Sequence, residues 1–323
     1  MVSESTLLGK RRLILATVKE NVSLTVFDAV TKELLAVVPV GEKRIAKPHE
    51  IAVTSDCSRA FVSLYGDRDY GPNKPDNRLG VVNLETMAFD GHIDLGLYLA
   101  PHAMMTDIAG KIWVTVEHSR CALIIDPATR EIEHTIWLEV PGHFLAASPD
   151  GSTVWFSAKE YPVIVGVDVV SRRMVARIPV PVGAQAVRVS PDGKILYAGD
   201  LYRPLLHLID LATREVVETI GLTGVPGWPF NSRDGRLVIV TSFDENKELG
   251  YVDLLNANDM TVAGCVEVPA EPFHALPEPD GRHVLVALAN GEITRIDLHA
   301  GKIVEGGFSA GGAMPEMLLY VDP

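Results

Sequence analysis

Four of the ten histidines, His49, His102, His143 and His274, stand at the head of short apolar runs, and Glu316 holds the same place in the last run. Neutral imidazole is the commonest nitrogen ligand for zinc, iron, copper and nickel, and clustered histidines would repel one another if protonated. Brought together, these five residues would hold a divalent ion, with Zn, Fe, Cu, Mn and Ni all open. With mostly neutral ligands the ion keeps its charge, so it would polarise a carbonyl or generate bound hydroxide. Glu117 and Glu160 are the candidates for proton transfer. Tyr65, Phe144, Lys159, Gln185 and Trp228 are candidates for contact with an organic ligand, joined by Arg68 and Tyr70 from the long segment GDRDYGPNKPDNRLG. Each has a plainer reading beside the chemical one. A Pro-His pair can hydrogen-bond a neighbouring loop, an acidic group can be solvated, and an aromatic ring can fill a core.

What would gather them is a repeat. Asp28, Asn83, Asp126, Asp168, Asp210, Asp253 and Asp297 each close a β-branched run that is followed by a turn and another strand. The last five recur with a period of about 42 to 44 residues, the length of a four-stranded propeller blade. Within a repeat, HFLAASPDG, STVWFSA, VIVGVDV and RMVARIPV read as four strands bounded by turns. The expected fold is all-β, a seven-bladed β-propeller of four-stranded antiparallel blades occupying residues 1–323 as a single domain. The first three strands, RRLILATV, VSLTVFDA and ELLAVVPV, lack an inner strand, and the C-terminal MPEMLLYVDP is an inner strand without companions. They should pair as one composite blade that closes the ring and leaves no open edge. Inner strands run the same way along a propeller axis, so His49, His102, His143, Gln185, Trp228, His274 and Glu316 are expected at one mouth of the central channel.

The segments VRVSPDGKILYAGDLYRPLLHLIDLATREVVETI and HFLAASPDGSTVWFSAKEYPVIVGVDV resemble the YVTN-repeat group of seven-bladed propellers, in the lactonase-like and surface-layer-like superfamily. That resemblance implies the fold; its members include hydrolases, lyases and binding proteins, so activity stays open. Three readings follow: a metal-dependent hydrolase or lyase, a mononuclear Fe(II) oxygenase, and a non-catalytic ligand- or protein-binding propeller. The second rests on four axial histidines, a constellation that resembles the carotenoid-cleaving oxygenases.

The formal net charge of −13 without a basic block argues against nucleic acid and anionic membrane as partners, leaving a small molecule. Cys57, Cys121 and Cys265 show no CxxC spacing, which points away from a disulfide framework. The segment MVSESTLLGKRR has no apolar signal core and no stretch approaches about 18 uncharged apolar residues, so a cytoplasmic location is expected. Gly307 to Gly311 match GxSxG, but no helix is expected after them, and they read as a loop. His92, His134, His207, His283 and His299 read as surface or inter-blade residues.

Overall fold

The computed structural model describes residues 11–43 and 45–322. The segment Met1 to Lys10, whose composition was read above, and the final Pro323 lie outside the described residues. Among the described residues every regular element is a β-strand except one 3-10 turn, Glu117–Ser119. No described helix is long and apolar enough to cross a membrane. The strands form seven four-stranded antiparallel sheets, the blades of a seven-bladed β-propeller. The chain divides into two compact units, Met1–Trp137 with Phe308–Pro323, and Leu138–Gly307.

The first unit holds three blades. Blade one is composite, as the sequence required: its inner strand is Pro315–Val321, followed outward by Leu13–Val18, Ser23–Asp28 and Leu34–Pro39. Leu319 pairs with Leu15 and Tyr320 with Ile14, so the two ends of the chain are hydrogen-bonded neighbours. Blade two runs Pro48–Val53, Arg59–Gly66, Pro75–Asn83, Ala88–Asp94, and blade three Pro101–Thr106, Ile112–Val116, Cys121–Asp126, Glu131–Trp137. The core lies between blades: Leu15, Leu24 and Val26 of blade one meet Ile51, Val62 and Leu64 of blade two. The long segment of blade two is more ordered than its composition suggests. Its third strand begins at Pro75, placing Arg78 opposite Leu64 and against Asp76 at 2.8 Å, and only residues 67–74 remain as loop.

The second unit holds four blades. They are Leu145–Ala147, Thr153–Ser157, Val163–Asp168, Arg173–Pro179; Ala184–Val189, Ile195–Asp200, Leu205–Asp210, Glu215–Gly221; Val225–Asn231, Leu237–Asp244, Leu249–Asn256, Val262–Val268; and Pro272–Pro277, His283–Leu288, Glu292–Asp297, Lys302–Ser309. Gly307 to Ser309, read from the sequence as loop, instead finish the last of these strands. His207 is buried within its own blade, its ring between Asp200 at 3.2 Å and Thr219 at 3.0 Å, so it is no surface residue.

The repeating aspartate works as a turn anchor. Asp28 accepts from the amides of Val30 and Thr31, Asp126 from Ala128 and Thr129, Asp210 from Ala212 and Thr213, and Asp297 from His299 and Ala300. These donors stabilise the ionised carboxylate, so Asp210 is held below its ordinary range chiefly by the Thr213 amide. Asp253 breaks the pattern. It is buried inside a longer strand, accepting from Ser242 at 2.7 Å and Thr223 at 2.5 Å, and Asn256 takes the turn position instead. The three cysteines are free; burial pushes the Cys121 thiol up to about 12.

Inner strands share a local irregularity that aims their first side chains. In blade two Pro48 pairs with Leu64 and Ile51 with Val62, so His49 and Glu50 form a bulge. The same shift falls between Pro101 and Met104, Ala184 and Val187, Pro226 and Pro229, and Pro272 and Ala275. A hydroxyl on the adjoining strand accepts the second bulge amide: Thr17 from Met317, Ser63 from Glu50, Thr115 from Ala103, Ser157 from Phe144 and Thr241 from Trp228, at 2.9 to 3.1 Å. Three of these hydroxyls also donate to the next blade, Thr17 to His49 O at 2.6 Å, Ser157 to Gln185 O at 3.3 Å and Thr241 to Phe273 O at 3.1 Å. One side chain thus fixes a bulge and ties two blades. Replacing Thr241 by Val keeps the shape and leaves a buried amide and carbonyl short of a partner, so urea unfolding should show a loss of about 1 to 3 kcal/mol. Deleting Pro315 to Pro323 removes the inner strand of blade one and should abolish soluble expression or a cooperative melt.

Candidate functional site

In the first unit, the first bulge positions bring His49, His102 and Glu316 together. Each follows a proline, which sets the backbone entering the bulge, and each is buried. Ligand atoms of the three all lie within 4.8 Å of one another. The two imidazoles stand 4.6 Å apart, centroid to centroid. Tyr65 packs against both, at 4.7 Å from His49 and 5.2 Å from His102, and its hydroxyl donates to Glu117 at 2.5 Å. Glu117 sits on the 3-10 turn after its strand, where a left-handed Arg120 at φ 54° ends the turn. The site therefore has a carboxylate fixed beside two imidazoles. His49 Nδ1 faces Lys47 O at 3.1 Å and its Nε2 faces Asp69 O at 3.2 Å, the latter from the loop 67–74. Arg68 and Tyr70 are exposed on that loop.

Lys19 is the residue that sequence reasoning missed. Its buried ammonium lies 2.5 Å from Glu316 and 3.6 Å from Asp69. The signal was present: Lys19 directly follows the second strand of blade one, the position at which Glu117 follows the second strand of blade three. Two buried charges of opposite sign hold one another, because either alone would carry a large desolvation cost.

In the second unit, bulge register separates residues that the sequence placed at one level. His143 and Gln185 occupy the first position, whereas Trp228 and His274 sit one residue later. A one-residue shift in a strand turns the side chain to another direction, so His274 is not equivalent to His49 or His102. Among the described residues it joins no group of His, Cys, Asp or Glu with ligand atoms that close. Its ring packs on Phe230 at 4.6 Å instead. Phe144 is buried beside His143, Lys159 is half-buried, and Glu160 is exposed with its carboxyl pushed up by partial desolvation. A separate group, Glu278, Asp280 and His283, lies at a turn and is tied to Arg295, which reaches Glu278 at 2.5 Å.

Burial, and then the nearby Arg188 charge, push the His274 imidazole down from 6.5 to about 3. The folded value lies below the unfolded one, so the unfolded chain takes up the proton first as pH falls. The contribution is complete above about pH 6.5 and is lost progressively toward about pH 3. His274→Phe should flatten this dependence: between about pH 7 and pH 4.5 the wild type should lose more unfolding free energy than the variant, by on the order of a few kcal/mol in urea titrations.

No protein-family model and no curated protein sequence matches the chain. Among solved structures it is similar to Kuenenia stuttgartiensis hydrazine synthase, with a TM-score of 0.66 and 18% identity over 80% of this chain and 78% of that one. At this identity the likeness concerns the fold: the protein shares a propeller architecture with that structure, and its chemistry has to be argued from its own residues.

Proposed function

We propose that this protein is a metal-dependent enzyme of hydrolase or lyase type, acting on a small organic molecule, with His49, His102 and Glu316 as ligands of a divalent ion. The observation that carries the reading is the approach of these three buried ligand atoms to within 4.8 Å. Two imidazoles and a carboxylate are the donor set of zinc hydrolases and of mononuclear iron centres with open positions. A neutral His49 donates to one of the two carbonyls that face its ring, Lys47 O or Asp69 O; to hold an ion through Nε2 it donates from Nδ1 to Lys47 O, and the Asp69 carbonyl moves aside. A bound ion supplies Lewis acidity toward a carbonyl or water. Glu117, held by Tyr65 beside the rings, takes the proton, and the loop 67–74 covers the His49 side. A second reading, a non-catalytic site for an organic ligand, is favoured by one observation: the Lys19 ammonium already balances Glu316.

Elemental analysis separates the two. The metal reading expects about one equivalent of zinc, iron, copper, manganese or nickel per chain and a melting temperature raised by its binding. His102→Ala should lose the ion and the activity while remaining folded, and Glu316→Gln should lose both at a cost in stability, because it leaves the Lys19 ammonium buried without that carboxylate. His207→Ala, whose ring is bonded within its own blade, should keep both. Lys19→Met should tighten metal binding by removing a competing cation. No metal after reconstitution with each ion would leave the binding-site reading.

A further inference from the structure

The second unit carries a cluster that the metal reading does not use. Trp228 Nε1 and His274 Nδ1 are buried polar atoms with no hydrogen-bond partner among the described residues, and both side chains belong to residues only 6% exposed. An indole N–H is a donor only, so a buried one without an acceptor is a standing cost that the fold has not removed. Neither residue is loosely held. The Trp228 amide donates to Thr241 Oγ1 at 3.1 Å, and that hydroxyl donates in turn to Phe273 O at 3.1 Å. The two orphaned atoms are thus pinned on neighbouring inner strands by the same hydroxyl.

Their surroundings are aromatic and cationic. Trp228 stands edge to face with Phe273 at 6.1 Å, and His274 with Phe230 at 4.6 Å. The Arg188 guanidinium lies over the Phe230 ring at 5.3 Å and donates from Nε to Pro229 O at 3.4 Å. Three successive inner strands, Ala184–Val189, Val225–Asn231 and Pro272–Pro277, therefore present a cation, an unmatched donor and apolar ring faces. A guanidinium stacked on a ring keeps its other N–H groups in one plane, which suits a carboxylate. We propose that Arg188, Trp228 and His274, walled by Phe230 and Phe273, form a binding site for a small organic carboxylate with an aromatic or other flat apolar body. The carboxylate accepts from the Trp228 indole and meets the Arg188 charge, and the body lies on the rings. His274 is kept neutral by burial and by Arg188, so it supplies a hydrogen bond without adding or removing charge. The inference does not depend on the metal centre, whose residues belong to the other unit.

Benzoate is the probe, titrated into full-length, chelator-treated protein and followed by the indole N–H resonances in nitrogen-15 spectra. The Trp228 resonance, identified by its loss in Trp228→Phe, should move saturably. The Trp113 resonance, already donated to Asp107 at 2.9 Å, should stay in place. Benzylamine, with the same ring and the opposite charge, should give no saturable shift. Arg188→Gln and Trp228→Phe should each weaken benzoate binding by about tenfold or more. If Trp228→Phe does not fold, the benzoate and benzylamine arms on the wild type and the Arg188→Gln arm decide. No saturable shift with benzoate, equal response to benzylamine, or unchanged affinity in Arg188→Gln overturns the proposal. Since the protein is stripped of metal throughout, that failure leaves the metal reading untouched, and absence of metal in the native protein leaves this one untouched.

Discussion

In five blades a hydroxyl on the strand adjoining an inner-strand bulge accepts the second bulge amide, and on this interaction the placement of His49, His102 and Glu316 depends. A bulge leaves an extra backbone amide with no place in the ladder, and a buried amide without an acceptor is costly. Thr17, Ser63, Thr115, Ser157 and Thr241 each supply the acceptor, so the bulge costs little and can recur from blade to blade. The bulge in turn re-aims the first side chains of the strand. Without it, His49 and Glu50 would follow the alternation of a flat strand, one face to one core and one to the other. The gathering of His49, His102 and Glu316 is therefore a consequence of backbone geometry before it is a matter of side-chain chemistry.

Electrostatics then decides what such a gathering can tolerate. Glu316 is buried, and the fold compensates it with a single ammonium, Lys19, from the adjoining strand end. Asp69 reaches the same ammonium from the loop 67–74, and its carbonyl meets His49. Loop, lysine and histidine are in this way linked through one charge. The second unit solves the problem differently. Burial, and then the Arg188 charge, push the His274 imidazole down, and its ring packs against Phe230. The same residue type thus stands beside a carboxylate in one place and packs against an aromatic ring in another, and the difference lies in its surroundings.

The fold was legible because its signals are local and repeat. Asp28, Asp126, Asp168, Asp210 and Asp297 cap their own turns with hydrogen bonds two or three residues away, so their spacing alone marks the blades. Asp253 misled because its partners, Thr223 and Ser242, are distant in sequence, and nothing local distinguishes a buried aspartate from a turn one. The composite blade was legible for a related reason: three strands at one end of the chain lacked the inner strand that the other end supplied, and Leu319 does lie against Leu15.

The sequence by itself determined the all-β class, the four-stranded blades and the pairing of the two chain ends in one blade, since periodicity and turn chemistry are written in neighbouring residues; it placed His49, His102 and Glu316 only within a larger set of seven inner-strand heads. Only the tertiary structure decided the one-residue register that sets Trp228 and His274 apart from the other inner-strand heads, because the place of a bulge is defined by pairing with the adjoining strand and not by the order of residues within its own strand. It alone also decided the pairing of Lys19 with Glu316. Those residues are joined across strands from opposite ends of the chain, and the attraction that matters between them acts through space at 2.5 Å, at a separation the order of residues does not encode.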